Sequence, residues 1–264
     1  MKQTFTYLLL LLYSVSFAKN FAGVNDSIEW KELARGKYTF HYTLADQNMI
    51  KKIDSDLQSG LDYIVDYFHH SFTNQFEVFI FPNRTLMDKQ WQKEWGDSTL
   101  QSQCWMIASG VAHRLDMLSP NAWPKEACEH NANDSTEIRQ VIWHEVIHVF
   151  HGQYNPDHTF NYIEGLDWLV EGLATYVSGQ LDEKRLQRVK QLIKENKTPS
   201  TLANFWKGQE KYGLSGSMVN YIDNTFGRGK LFSLLKFTNK QDALNFLGFS
   251  EEQLINSWKN SLAL

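Results

Sequence analysis

The spacing of apolar positions changes character near residue 135. Before that point short alternating runs mix with one long helical stripe. Tyr38 to Tyr42 alternates as a short strand, and Phe76 to Phe81 reads as a second, stopped by Pro82. A third is plausible from Arg114 to Leu118, ahead of Pro120. Between the first two, Ile50, Ile53, Leu57, Leu61, Ile64 and Phe68 recur at steps of three and four, which predicts a long amphipathic helix. After residue 135 the signals are almost entirely helical, over 136–151, 164–179, 182–195, 215–225, 229–237 and 250–262. Ser250 with Gln253 opens the last as a capping box. This order predicts an α+β protein. Its mixed lobe of about 19–134 carries a small sheet, and its helical lobe covers about 135–264, with a cleft between them.

Residues 1–18 set the N-terminus apart. One lysine, a run of leucines and small residues at Ser16 and Ala18 form the pattern of a cleavable signal peptide, cut near Ala18. The apolar stretch is short for a membrane span, and no other segment could cross a bilayer, so no stable membrane anchor is expected after cleavage. A secreted or periplasmic location follows. About 246 residues then remain, enough for one two-lobed unit over 19–264. The only two cysteines, Cys104 and Cys128, fall in one segment and could pair in an oxidising compartment. The formal charge of −4 and the lack of a dense basic cluster argue against nucleic acid as a partner. No internal repeat or low-complexity block is visible. Gly213 to Ser217 lacks the final glycine of a nucleophile elbow, and Gly227 to Phe232 lacks the third glycine of a dinucleotide loop.

Residues 144–148 read His-Glu-Val-Ile-His. On a helix His144 and His148 stand one turn apart on one face, so both ring nitrogens can reach one Zn²⁺, while Glu145 can act on a water. Asp134 with Glu137 resembles a capping box that starts this helix, and Gly152 and Pro156 are expected to end it. The third ligand has several candidates. His151 shares the face but lies a turn further along, about 4.5 Å at 1.5 Å per residue, so it reads as a helix-end residue. Glu164, Asp167 and Glu171 fall on one face of the next predicted helix. Glu171 sits among Trp168, Leu169, Val170, Leu173 and Ala174, where an unpaired carboxylate is costly, and this favours it as the ligand. Gly is absent at 151 and His at 154, which disfavours a metzincin.

The pair formed by His144-Glu-Val-Ile-His148 and Trp168-Leu-Val-Glu-Gly-Leu-Ala-Thr-Tyr176 resembles the gluzincin metallopeptidases of the peptidase MA-like type, HExxH followed by WLxEGxAxY. The resemblance implies a zincin-like fold, one Zn²⁺ held by His144, His148 and Glu171, and Glu145 as general base for hydrolysis of a peptide or protein substrate. It also implies an edge strand beside the metal helix, a place for which Arg114 to Leu118 stands in the right order. Thermolysin-like members carry an Asp four residues after the ligand Glu, where this chain has Thr175. The partner that orients His144 is therefore open, with Asp167 or a backbone carbonyl as candidates. Tyr212 is the candidate electrophile for a tetrahedral intermediate, the other reading being a packed aromatic; His113, His130 and His158 are further donors to consider. Two readings of other classes stand beside this one. One is a catalytically inactive zincin-like binding or scaffold protein. The other is a structural zinc site, which usually takes four Cys-rich ligands, and neither cysteine is near the motif.

Overall fold

The computed structural model describes residues 28–263. The expected signal peptide lies outside the described residues. Strands β1 (Lys31–Ala34) and β2 (Tyr38–Tyr42) are followed by helix α1 (Ile50–Phe68), β3 (Phe76–Phe81), α2 (Arg84–Trp95), β4 (Ala108–Val111), β5 (Arg114–Leu118) and the short α3 (Trp123–Glu126). The rest is helical: α4 (Ser135–Tyr154), α5 (Asp167–Val177), α6 (Glu183–Lys194), α7 (Lys211–Phe226), α8 (Arg228–Leu234), α9 (Lys240–Leu247) and α10 (Glu251–Leu262). The molecule is a mixed α/β protein with one five-stranded sheet, consistent with the α+β class. Among the described residues no helix is long and apolar enough to cross a membrane.

The sheet runs β1-β2-β3-β5-β4, with β2, β3 and β5 parallel and an antiparallel strand at each edge. Arg114 to Leu118 is therefore an interior strand, and the edge lies at β4, which the apolar pattern does not reveal. Its sequence, Ala-Ser-Gly-Val, has little strand propensity. The reason is a close approach to α4: a Cβ at Gly110 would lie 2.4 Å from the Glu145 carbonyl oxygen. Strand propensity gives way to contact with the helix that carries the histidines.

Helix α1 buries the predicted stripe, Ile50 to Phe68, and packs on α4. Phe68 stacks on Phe150 at 5.2 Å, and the Trp143 indole donates to the Asp56 carbonyl at 3.0 Å. Helix α2 has a weaker stripe and went unpredicted; the Asn83 side chain caps it, and its Trp91 donates to Asp116 on β5. Helix α9, likewise unpredicted, is capped by Asn239.

The start of α4 is half of the expected capping box. Asp134 accepts from the N–H groups of Thr136 and Glu137, but the Glu137 carboxylate turns to His130 and to the Asn131 N–H instead of returning to the cap. Gly152 does not end the helix, which runs on to Tyr154. A Cβ at Gly152 would come within 2.7 Å of the Ala112 nitrogen, so glycine serves contact with the β4–β5 turn. At the other end of the molecule Ser250 and Gln253 do form the full capping box.

One polar cluster ties the sheet side to the helices. Asp223 of α7 accepts from Tyr67 of α1 at 3.1 Å and Tyr176 of α5 at 3.0 Å. It also pairs with Arg228 of α8 through two hydrogen bonds of 2.8 and 2.7 Å. The Arg228 guanidinium lies 3.2 Å from the centroid of the Tyr67 ring. Cys104 and Cys128 are joined in a disulfide.

Candidate metal centre

Helix α4 delivers three of the predicted residues together. His144 and His148 stand one turn apart, with ring centroids 4.7 Å apart and planes nearly perpendicular at 77°. Helix α5 then lays Glu171 against both rings. Its Oε2 is 3.3 Å from Nε2 of His144 and 3.6 Å from Nε2 of His148, and the candidate ligand atoms of the three residues lie within 4.8 Å of one another. The histidines are buried, whereas Glu171 keeps 27 % of its side chain open to solvent, so the cluster is reachable from one side.

Glu164 and Asp167 are not in this cluster. The helix begins only at Asp167, and Glu164 pairs through its backbone with Asn239. Asp167 is exposed. His151 is buried behind the histidines, edge-on to Phe160 at 5.0 Å; burial drives its pKa down to about 3, which keeps it neutral. His113 sits exposed beyond the end of β4, His130 is engaged by Glu137, and His158 bonds the Gly152 carbonyl at 2.7 Å.

The orienting partner of His144 is neither Asp167 nor a backbone carbonyl. Nδ1 of His144 lies 2.8 Å from the side-chain oxygen of Gln180, just beyond α5. Thr175 bonds the Glu171 carbonyl instead, at 2.8 Å, one turn back along its own helix. Gln180 follows Gly179, whose φ of +77° turns the chain back toward α4. No pattern in the sequence marks that position.

Since an amide oxygen can only accept, Nδ1 of neutral His144 carries the proton and Nε2 presents a lone pair. That lone pair faces the Glu171 carboxylate. At 3.3 Å the two atoms are held together by a positive charge, supplied either by a proton taken up by the ring or by a cation between them. Nδ1 of His148 is buried and, among the described residues, has no hydrogen-bond partner. Two imidazole nitrogens and one carboxylate, open on one side, are the donor set that fits Zn²⁺. The residues present therefore fit the metal that the sequence motif implies.

The two carboxylates have different environments. Burial alone would raise Glu171, but the facing histidines, when they carry a proton, more than offset it and hold the carboxyl well below the usual carboxylate range. Glu145 is pushed up to about 7 by burial, helped by the negative charges of Glu171 and Asp116. His144 and the Gly110 N–H only partly oppose this. One acid is set to stay ionised and the other to exchange a proton near neutrality.

Tyr212, the second residue of α7, closes the cluster from the helical side. Its ring centroid is 6.3 Å from that of His144, and burial raises its pKa, with Glu171 and Glu145 adding, so the hydroxyl keeps its proton. Its position depends on how closely α5 and α7 approach. A Cβ at Gly172 would lie 2.5 Å from the Ser215 carbonyl oxygen, so only glycine beside Glu171 permits the contact.

No family model matches this chain, and no curated protein matches it in sequence. Among solved structures, a two-domain M1 zinc metallopeptidase, crystallised as a point mutant bound to the amino acid L-tryptophan, superposes with a TM-score of 0.41 at 12 % identity. The match covers 88 % of this chain and 51 % of that one, so the chain spans about half the length of that peptidase. At this distance the chemistry has to be read from the chain's own residues.

Proposed function

We propose that this protein is a zinc-dependent peptidase of the gluzincin type, with a zincin-like fold formed by residues 19–264 as one two-lobed unit. The observation that carries the reading is the convergence of His144, His148 and Glu171 on one point, with both Nε2 atoms facing the carboxylate and a buried acid beside them. His144, His148 and Glu171 would hold the ion, and Gln180 would fix the tautomer of His144. When bound, Zn²⁺ makes water acidic enough to be deprotonated near neutral pH and polarises a carbonyl.

The remaining chemistry belongs to the chain. Glu145, raised to about 7, takes a proton from water at the start of the reaction and returns it to the leaving amine. Tyr212 keeps its proton and stands beside His144, and its role would be to donate to the oxyanion. Strand β4 is an antiparallel edge beside α4, and it can pair with an extended peptide backbone. A peptide or protein substrate, handled outside the cytoplasm after removal of residues 1–18, is the partner this site suits. The low net charge without a basic cluster speaks against nucleic acid.

The test is cleavage of a denatured-protein and peptide-library panel by the zinc-supplemented protein. Cleavage that a chelator abolishes, zinc restores and Glu145→Ala removes is the expected result. A panel left intact by the zinc-supplemented protein would point instead to the inactive binding scaffold.

A further inference from the structure

Lys211 opens α7, immediately before Tyr212. Its Nζ lies 4.2 Å from the ring centroid of Trp105, 4.4 Å from that of Trp206 and 5.2 Å from that of Tyr212. Trp105 comes from a distant loop, whereas Trp206 and Tyr212 lie close to Lys211 in sequence. Arg84 and the disulfide hold the loop that carries Trp105. The guanidinium bonds the Ser102 hydroxyl and the carbonyls of Gln103, Cys104, Met106 and Glu126, while Cys104 is tied to Cys128. Trp206 packs edge-on to Tyr212 at 4.9 Å. The ammonium group thus lies against three aromatic rings while remaining partly open to solvent.

Aromatic faces attract a cation but accept none of its N–H bonds in the way an anion does. Among the described residues, no hydrogen bond or ion pair reaches Nζ of Lys211. Glu171 points its carboxylate at the histidines, and Glu129 is exposed without pairing to it. The placement also runs against helix electrostatics. A cation in the first turn of α7 adds to the positive end of the helix dipole, and the one anion there, the N-cap Glu210, is engaged by Arg188 at 2.8 Å. Burial pulls the Lys211 ammonium below the ordinary lysine pKa, against the pull of Glu171 and Glu129, as expected of a charge short of a counter-ion. Local rules broken together in this way tend to mark ligand sites.

The Tyr212 ring neighbours both Lys211 and His144, 5.2 Å from the ammonium and 6.3 Å from the imidazole. An extended peptide covers that span in a few residues at about 3.3 Å each. We infer that Lys211 receives a carboxylate of the peptide substrate a few residues from the scissile bond, making this a peptidase that selects chains carrying a negative charge at that distance. The carboxylate comes either from the substrate's C-terminus or from an Asp or Glu side chain. The inference rests on the peptidase reading and deepens it.

The test measures binding to zinc-supplemented Glu145→Gln protein, which removes the proposed base, using quenching of tryptophan fluorescence by short peptides. Each peptide is offered as the free acid, as the C-terminal amide, and as an amide with an internal Asp or Glu. At least one carboxylate form should bind about tenfold or more tightly than the neutral amide, the scale of one charge-assisted contact. The gap should collapse in Lys211→Met and persist in Lys211→Arg, with unchanged melting temperatures. The form that gains affinity identifies the source of the carboxylate. Equal affinity of acid and amide, absence of binding up to millimolar peptide, or a gap that survives Lys211→Met would overturn the inference. Wild-type cleavage judges the peptidase reading separately: turnover blind to the carboxylate sinks only this proposal, and carboxylate binding without chelator-sensitive turnover sinks only the peptidase.

Discussion

Two polar clusters in this molecule are built from similar parts and differ in how complete they are. Around Asp223 the acceptors meet donors: two tyrosine hydroxyls and a two-pronged arginine converge on one carboxylate, linking α1, α5, α7 and α8. Around Glu171 two imidazole nitrogens, 3.3 and 3.6 Å away, face a carboxylate that has no other side-chain partner among the described residues. The first cluster is finished by the chain itself and holds helices together. The second needs something the chain does not supply. Buried polar groups that remain unsatisfied are expensive, so an incomplete cluster beside an accessible cleft marks chemistry better than burial or charge alone.

That contrast can be broken by substitution. The largest effect should come from Glu145→Gln, which we expect to cut turnover by about 10²–10⁴-fold, the range for a lost general base, while the melting temperature holds or rises. Unfolding of that variant would mean Glu145 is structural. In the finished cluster the outcome should reverse. Arg228→Met leaves Asp223 without its cation and should cost about 1–3 kcal/mol in a denaturant titration, with zinc content per folded chain unchanged. A neutral result would remove Asp223 from the frame of the fold.

A smaller effect sharpens the comparison at the metal end. Gln180→Ala frees the His144 ring to change tautomer, and zinc affinity by competition with a chromogenic chelator should fall by about 10–100-fold. Unchanged affinity would show that packing alone orients His144.

The smallest effect is a slope with pH. Burial raises Asp116 to about 7, against the pull of Arg114, so its contribution to stability is complete below its unfolded pKa near 3.8 and is lost as pH rises through about 7. Asp223 has the opposite sign. Its carboxyl is lowered by Arg228 and the tyrosines despite burial, so its contribution is present above the unfolded value and fades as pH falls below it. Stability of metal-free wild type minus that of Asp116→Asn should decline between pH 4 and 7, by at most about 1.4 kcal/mol per pH unit. A flat difference would show that Asp116 is already ionised in the fold.

Much of this was legible in the residues. The stripe from Ile50 to Phe68 gave α1 its full length, helix periodicity put His144 and His148 on one face, and the cost of a carboxylate among apolar neighbours, with the motif resemblance, pointed to Glu171. What the sequence hid was set by tertiary contact. The edge strand β4 carries Gly110 where α4 passes, which erased its apolar alternation, so the edge fell to the wrong strand. Gln180 reaches His144 from a turn, and Lys211 meets the Trp105 ring from a distant loop. Gly152 looked like a stop signal and proved to be a point of close approach. Periodicity reports what an element buries, and it is silent on what a loop brings back.

The most direct measurement is the zinc content of the purified chain, by elemental analysis after loading and desalting, in wild type and in His148→Ala. One zinc per folded wild-type chain and none in the variant is the result this account predicts. No zinc in the wild type, or an equal amount in both, would contradict it.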